Sequence, residues 1–235
     1  MSRGLNRAIL VFFWIRLPML TVTAFSIGSL IQKKTRIALF NPLLIGAILV
    51  VVVLKVLGIS NKDYQAGCQV LNFLLTPATI CLAISFYEQF QSLKKQMGAV
   101  LLGLVLGTIS CIGSVWILSR LFGLDRVLTL SLLPKSITTA IGVPVSQEIG
   151  GIAAITSAVI ALTGILTNMA GPSLCKWFRI TDPVAQGAGF GTAGHVIGTS
   201  KAVELSQLAG AVSSFSLTCT GIFTTVLLSF LAQYV

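Results

Sequence analysis

The sequence is poor in charge and in the side chains that carry most enzyme chemistry. Only 9% of its 235 residues are charged, six are acidic and one is a histidine, whereas hydrophobic residues make up 55%. Ordinary soluble proteins carry roughly 25% charged residues. This composition therefore indicates an integral membrane protein.

Long runs without a charged residue support this interpretation. A helix crosses a bilayer core with roughly 18 to 20 apolar residues. The runs are continuously apolar and lack the alternation of a membrane β-strand, so the predicted fold is an all-α polytopic membrane protein. The runs of sufficient length are Ile37–Leu54, Tyr64–Tyr87, Gln96–Ser119, Ile149–Cys175 and Leu205–Val235.

The net charge of +10 lies mostly in short basic clusters at the ends of the apolar runs. This pattern is typical of membrane topology rather than of nucleic-acid binding, because cytoplasmic loops are enriched in lysine and arginine. We therefore place Gln32–Arg36, Lys94–Lys95 and Lys176–Arg179 on the cytoplasmic side. The N-terminal residues are also basic, which leaves the orientation of the first helix open.

The N-terminus and the cysteines give no sign of processing or of a metal site. Arg16 interrupts the first apolar run and no small-residue cleavage site follows it, so no cleavable signal is expected. The five cysteines occur singly, without the spacing of metal ligands, and are interpreted as small apolar residues. They are Cys68, Cys81, Cys111, Cys175 and Cys219.

We treat residues 1–235 as a single membrane domain in which about six to eight segments cross the bilayer. The segments follow from the apolar runs and from the basic or polar residues between them. They are Ile9–Ile31, Asn41–Ile59, Cys68–Tyr87, Gly98–Leu121, Val127–Val145, Gly151–Trp177, Ala185–Ser200 and Gly210–Tyr234.

Some segments contain residues that interrupt helices. Pro77 lies in the middle of the third segment, Pro134 and Pro144 lie in the fifth, and the seventh is rich in glycine. Inside a bilayer, each interruption leaves backbone groups unpaired unless protein, water or a ligand bonds to them. The broken segments are therefore predicted to lie inside the bundle. In the seventh segment the predicted break positions are Gly191, Gly194 and Gly198.

The fifth segment is predicted to be re-entrant. If the fourth segment runs outward from Lys94 and Lys95, and the sixth runs inward to Lys176–Arg179, the segment between them starts and ends on the outer side. The alternative is that it crosses the membrane and the positive-inside rule fails at Lys176–Arg179.

A weak similarity between two parts of the sequence suggests two structural repeats, 37–121 and 127–235. In each, a broken segment and an acidic connector precede a helix that opens with Gly-Ala-Val, at Gly98 and at Gly210. Paired repeats with broken helices place the substrate site of many transporters near the midplane. Chance similarity between apolar helices is the alternative.

Lys135 is the most informative residue of the fifth segment. Pro134 ends the preceding helix, and Ser136, Thr138 and Thr139 can cap a new one whose first N–H groups point into the bundle. A helix N-terminus, hydroxyl groups and an ammonium together form a site for a carboxylate. The alternative is a lysine that extends to the lipid headgroups.

Acidic residues and the histidine are candidates for ion or proton coupling. Glu148 either complements the first turn of a helix capped by Ser146, or pairs with Lys135 or a cation. His195 is either a proton carrier or a structural hydrogen-bonding residue, and Glu204 follows it in the same region. Side chains in the broken segments complete the predicted substrate site: Asn72, Thr76, Thr192 and Thr199.

Enzyme and channel functions find little support in the sequence. It lacks a nucleophile elbow, a zinc-protease motif, a second histidine for a triad, and a selectivity filter. Gly189–Gly194 matches the dinucleotide-binding glycine pattern, but no βαβ unit surrounds it. We therefore expect no enzyme activity, no cofactor, no metal and no nucleic-acid partner.

The sequence resembles the LrgB/CidB family of bacterial membrane proteins over nearly the whole chain after the first dozen residues. One departure is Ala140, which stands where relatives often have a proline after the paired threonines, so the position of the break in the fifth segment is open. The stretches that carry the resemblance are Phe40–Gly46, Leu71–Gln89, Leu132–Ile152 and Phe190–Glu204.

The resemblance implies two different functions. Bacterial members are named as antiholin-like proteins that modulate murein hydrolase activity with a small holin-like membrane protein of the LrgA/CidA type. A plastid relative is a glycolate/glycerate translocator, and some bacterial relatives are implicated in pyruvate movement. We expect a multi-pass, dimeric protein of the bacterial cytoplasmic membrane that transports small monocarboxylates and is linked to autolysis. The alternative is antiholin-like regulation without transport.

Overall fold

The structure is a computed structural model that describes residues 2–35, 42–71, 73–74, 77, 80–81, 84, 87, 94–231 and 234, with side chains from residue 16 onward except at 95. All the secondary structure in these residues is helical. The chain forms two compact units, Met1–Cys81 and Leu82–Val235.

The first unit is built on a long helix, α1 (Ser2–Thr35), which continues through Pro18. Helix α2 (Pro42–Leu57) packs closely on α1, because Gly28 and Gly46 leave no room for a side chain between the two backbones. The apolar sequence of α2 makes this contact favourable in a bilayer or in a protein core.

A short helix, α3 (Asn61–Gly67), turns back towards α1 at 118° to α2. It begins at the cap residue Ser60, whose hydroxyl accepts a hydrogen bond from the Asp63 N–H at 3.2 Å. Tyr64 then bonds through its hydroxyl to Thr21 of α1 at 2.8 Å. This helix was not predicted, because it contains charged residues between two apolar segments.

The second unit contains the long helices α4 (Met97–Leu121), α7 (Ala153–Trp177) and α9 (Gln207–Leu231). Each has 25 residues and is apolar enough to cross a membrane. At about 1.5 Å per residue such a helix is longer than the bilayer core, which is about 30 Å thick. Among the described residues these three qualify as spans, and a fourth if α2 and α3 form one bent span. The predicted count of six to eight crossings is not confirmed.

The fifth predicted segment folds into a helical hairpin, here called the first hairpin, of α5 (Arg126–Leu132) and α6 (Thr139–Glu148). Its two arms lie side by side at the start of α7. The Thr156 hydroxyl donates to the carbonyl of Ser131 on α5 at 2.9 Å, and Ser146 on α6 bonds to the same hydroxyl at 2.6 Å. The hairpin connects the end of α4 to the start of α7, and its re-entrant position in the membrane stays a prediction.

The seventh predicted segment forms a second hairpin within α8 (Pro183–Leu205). Its backbone reverses at His195, which has φ 43° and ψ −135°. Gly187 and Val203, on opposite sides of His195, both lie against the first turns of α9. A straight helix cannot bring these two residues to the same level, so α8 consists of two half-helices, 183–194 and 196–205.

The two hairpins approach the middle of α7 from its opposite ends. The first hairpin lies between the end of α4 and the start of α7, and the second lies between the end of α7 and the start of α9. Gly142 of the first hairpin packs against Ile160, and the His195 ring packs against Gly164 one turn further along α7. An apolar cluster fixes the first hairpin against α4 and α9: Ile112, Val115, Leu130, Leu133, Val145 and Leu228.

The positions of the predicted breaks are partly corrected. Pro134 does lie in the break between α5 and α6. Pro144 does not break a helix, because α6 continues through it and loses only the hydrogen bond that its missing N–H would make. Pro77 is itself helical and exposed, and the residues on both sides of it lie outside the described part of the chain.

The glycines of α8 are also not the break itself. Helix α8 reverses at His195, next to Gly194, whereas Gly191, Gly194 and Gly198 allow close packing. A side chain at Gly191 would collide with the backbone of Ser213, and one at Gly194 would lie 2.6 Å from Thr167. These glycines therefore hold the two half-helices against their neighbours.

Glu148 and Ser146 do not have the positions that the dipole interpretation requires. Glu148 is the last residue of α6 and is exposed, and Ser146 is buried within the same helix rather than at its start. An acidic residue at a helix C-terminus does not complement the dipole. The predicted repeats 37–121 and 127–235 stay predictions.

Candidate functional site

A cavity of about 660 Å³ lies between α4, α7, the first half of α8 and the turn of the first hairpin. It extends along α4 from Gln96 to Cys111, and along α8 from Asp182 to Ala193. Gln96 and Asp182 are exposed. The cavity thus runs from one end of the second unit to the middle of its helices, where it reaches Lys135.

Lys135 lies in the turn of the first hairpin, and its ammonium points towards the middle of α4. The Nζ atom is 3.3 Å from the sulfur of Cys111 and 3.2 Å from the hydroxyl oxygen of Ser136. The Cys111 sulfur and the Ser136 oxygen are 3.0 Å apart, which completes a triangle of polar atoms. Because Cys111 is near the middle of α4, the ammonium lies far from either helix end.

Lys135 has no carboxylate partner in the described part of the chain. The ion pair found there joins Lys201 and Glu204 at 2.7 Å, on the exposed end of α8. The predicted pairing of Lys135 with Glu148 is absent, because Glu148 is exposed at the far end of α6. Glu204 does not line the cavity.

Apart from Gln96 and Asp182 at the exposed end, hydroxyl groups supply further polar atoms of the cavity. Ser136 is buried beside Lys135, and Thr192 faces the cavity from α8. The Thr192 hydroxyl donates to the Ala188 carbonyl at 2.7 Å, which leaves its oxygen as an acceptor. Thr163 and Thr167 of α7 complete the lining opposite α4. The structure therefore brings together three of the predicted substrate-site residues: Lys135, Ser136 and Thr192.

The N-terminus of α6 follows directly after Ser136. Thr138 is the cap residue, as predicted, but its side chain makes no capping hydrogen bond. Its carbonyl accepts hydrogen bonds from the N–H groups of Ile141 and Gly142 at 3.0 and 2.7 Å. Thr139 is the first helical residue and is exposed. Neither threonine is part of the cavity lining.

His195 and Thr199 lie behind the cavity wall. The His195 ring is 4% exposed, and its Nε2 donates a hydrogen bond to the Ile160 carbonyl at 3.0 Å. Thr199 is 1% exposed and bonds to Ser213 of α9 at 2.8 Å. Both residues therefore connect the second hairpin to neighbouring helices. Two further predicted site residues, Asn72 and Thr76, lie outside the described residues.

The structure adds residues that the sequence did not single out. Cys111 was interpreted as an apolar residue, yet it contacts the Lys135 ammonium. Thr163 and Thr167 of α7 also line the cavity. Their only sequence signal is a spacing of four, which places them on one face of α7. Groups of three or more side chains that commonly bind metals are absent from the described part of the chain.

The arrangement suits a small anion. The half-buried ammonium supplies a positive charge at the inner end of the cavity, where electrostatic attraction is stronger than at an open surface. The Ser136 hydroxyl beside the ammonium can donate to a carboxylate, and the volume accommodates a molecule of a few heavy atoms.

Comparison with known proteins identifies relatives along most of the chain. The model of the LrgB-like family matches residues 21–234. The antiholin-like protein LrgB of Bacillus mycoides (strain KBAB4) is 35% identical over 216 residues, which cover 92% of this chain and 94% of the relative. The proteins of the same name from Bacillus cereus (strain B4264) and Bacillus anthracis (strain CDC 684 / NRRL 3495) match with the same identity and coverage. No solved structure matches the chain.

Proposed function

The chain belongs to the LrgB-like family, and we propose that it is an antiholin-like membrane protein whose cavity binds a small monocarboxylate and carries it across the membrane. The two parts of this proposal have different support. The names of the relatives favour the antiholin-like role, which the sequence offered as the alternative function. Carboxylate transport has its support in the geometry of the cavity.

The observation that carries the transport proposal is the position of Lys135. A lysine at the centre of a membrane helix costs about 2.5 to 3.5 kcal/mol or more. A thiol and a hydroxyl offset part of this cost, but neither neutralises the charge. A bound carboxylate would do so through charge-assisted hydrogen bonds, which are stronger than neutral ones. The cavity leaves space for that group beside the ammonium.

The cavity favours a monocarboxylate of the glycolate, glycerate or pyruvate type. Its inner part contains the Lys135 ammonium and a few hydroxyls, and most of the remaining lining is glycine, alanine, valine and leucine, with Gln96 and Asp182 at the exposed end. A substrate with one carboxylate and one small polar group would match these partners. The coupling roles of His195, Glu148 and Glu204 remain proposals, and the contacts of His195 support a structural role more directly.

The antiholin-like role implies a partner in the membrane. We propose a small holin-like protein of the LrgA/CidA type, a homodimeric state and a multi-pass position in the bacterial cytoplasmic membrane, with no enzyme activity. Transport and regulation are compatible, because movement of a metabolic acid can change the conditions under which murein hydrolases act.

Uptake into proteoliposomes tests the carboxylate site. Radiolabelled glycolate and pyruvate would be offered to vesicles that contain the wild-type protein, Lys135→Ala or Lys201→Ala. Lys201 is the control because it is paired with Glu204 outside the cavity. A lost hydrogen bond to a charged group is worth about 1.5 to 3 kcal/mol, so Lys135→Ala should reduce uptake at low substrate by about tenfold or more. Lys201→Ala should transport like the wild type.

Unchanged uptake by Lys135→Ala would rule out this site. If the folded wild type moves none of the small acids yet still changes murein hydrolase activity in cells, the antiholin-like role stands without transport. The pH profile of uptake tests the histidine separately. A flat profile between about pH 5.5 and 7.5 would exclude His195 as a proton carrier.

A further inference from the structure

A second cavity, of about 410 Å³, forms a groove on the other end of the second unit. Its wall on α4 runs from Ile109 to Trp116, and its opposite wall consists of the last turns of α9 with Tyr234. Leu133, which is 1% exposed, lies in its floor. The lining is almost wholly apolar, so the groove offers no partner for a polar ligand.

A cationic side chain lies at one end of this groove. Arg120 follows Trp116 by one helical turn, and its guanidinium carbon is 5.7 Å from the centre of the Trp116 ring. It belongs to the last turn of α4, where the helix leaves the apolar core. Tryptophan and arginine at a helix end are typical of the level of the lipid headgroups.

The distance along α4 from the inner end of the groove to Arg120, beyond its outer end, matches one leaflet of a bilayer. From Ile109 near the middle of α4 to Arg120 at its end, a rise of about 1.5 Å per residue gives roughly 16 Å. Half of the bilayer core is about 15 Å thick. An acyl chain lying in the groove would therefore place its headgroup beside Arg120.

We propose that this groove binds an anionic glycerophospholipid, with one acyl chain between α4 and α9 and the phosphate and its charged headgroup beside Arg120. The apolar lining would bind the acyl chain, and the Arg120 guanidinium would favour a negatively charged headgroup. A planar guanidinium has five N–H donors, so it can contact Trp116 and its other neighbours and still donate to a phosphate. This proposal is independent of carboxylate transport.

If the groove had a different occupant, the contact between lipid and the Trp116 ring would differ. A second copy of the protein, or another segment of this chain, would shield the ring from lipid. Any phospholipid without charge preference would contact Trp116 as an ordinary neighbour in the bilayer. Two quantities therefore distinguish the occupants: how easily lipid reaches the Trp116 ring, and how strongly the site prefers an anionic headgroup to a neutral one.

Fluorescence quenching by brominated lipids measures both at this one site. Trp14→Phe and Trp177→Phe leave Trp116 as the single tryptophan of the chain, which has three. This protein would be reconstituted into phosphatidylcholine with increasing fractions of brominated phosphatidylglycerol, and separately of brominated phosphatidylcholine. We expect phosphatidylglycerol to quench Trp116 more strongly at equal fractions.

Two variants and their controls locate the effect. Arg120→Gln should abolish the difference in quenching between the two lipids, whereas Arg120→Lys should retain part of it. Lys176→Gln is the control for charge, because Lys176 lies in the last turn of α7, outside the groove, and it should leave the difference unchanged. Gly113→Leu should fill the groove and reduce quenching by both lipids. Gly98→Leu is the matched control, because both glycines of α4 face open space but Gly98 lines neither cavity.

Equal quenching by the two lipids in the parent protein would overturn the proposal. A preference that persists in Arg120→Gln would overturn it as well, and so would quenching that Gly113→Leu leaves intact. If neither lipid quenches Trp116, protein covers the groove and the lipid is excluded. None of these readouts depends on substrate uptake, so failure here leaves the carboxylate site untouched.

Discussion

His195 is held in a conformation that its backbone does not favour. A positive φ is uncommon for residues other than glycine and costs of order 1 to 3 kcal/mol when the surroundings enforce it. The surroundings here are α7, which accepts the hydrogen bond of the ring at Ile160 and leaves a place for the ring at Gly164. The ring thus fixes the turn of the second hairpin at the middle of α7.

This role predicts a coupling between two positions that a double-mutant cycle can measure. His195→Ala should lower the free energy of unfolding in detergent by about 2 to 4 kcal/mol, because it removes a buried side chain and its hydrogen bond. Gly164→Ala should also destabilise, since its methyl group would lie 2.8 Å from the ring. In the double variant the methyl group no longer meets the ring, although it still lies 2.9 Å from the Cβ atom of Ile197, so the loss should be smaller than the sum by the ring contact alone. Additive losses would contradict the contact.

At the scale of elements, one threonine joins both arms of the first hairpin to α7. The Ser131 carbonyl lies in the last turn of α5, where a helix leaves its carbonyls unpaired, and it accepts from Thr156 instead. Ser146 of α6 bonds to the same hydroxyl. All three residues are fully buried, so water does not replace these bonds.

We expect Thr156→Val to loosen the hairpin while keeping its volume. The substitution leaves the Ser131 carbonyl without its side-chain partner and removes the partner of the Ser146 hydroxyl, which should cost about 1 to 3 kcal/mol of stability. Thermal unfolding in detergent would measure the loss. Thr225→Val is the control, because the Thr225 hydroxyl bonds only within α9, to Gly221. Equal losses in the two variants would show that the inter-helix bonds contribute nothing.

The break of the first hairpin can be predicted from the sequence, whereas the position of the turn in the second hairpin cannot. Proline removes a backbone donor wherever it stands, so the break at Pro134 is visible in the sequence. The reversal in α8 occurs at a histidine, because packing against α7 and α9 decides where the glycine-rich segment turns. Lys135 and its hydroxyl neighbour Ser136 are predictable as a polar group in an apolar segment. The contribution of Cys111 is not, because only the fold brings α4 beside the hairpin turn.

At the scale of the whole second unit, the two ends of the cavity differ: one end is exposed and the other is buried. Its exposed end contains Gln96 and Asp182, and its inner end contains Lys135 and Cys111. Beyond Lys135 the buried apolar cluster of the first hairpin separates the cavity from the other end of the unit. The exposed end lies beside the basic residues Lys94, Lys176 and Arg179, which the positive-inside rule places in the cytoplasm.

Cys111 provides a test of this direction from within the site. In a protein whose other four cysteines are replaced by alanine, a charged thiol reagent that does not cross membranes should label Cys111 in inside-out vesicles and much more slowly in right-side-out vesicles. Excess glycolate or pyruvate should slow the labelling, because the carboxylate would occupy the space beside Lys135. Ser114→Cys in a Cys111→Ala background is the control: Ser114 lies on the same helix, outside the cavity and on the lipid-facing side of the span, so the charged reagent should label it from neither side. Faster labelling of Cys111 from the outer side would show either that the exposed end of the cavity faces outward or that the apolar cluster is open, and each result would contradict this direction.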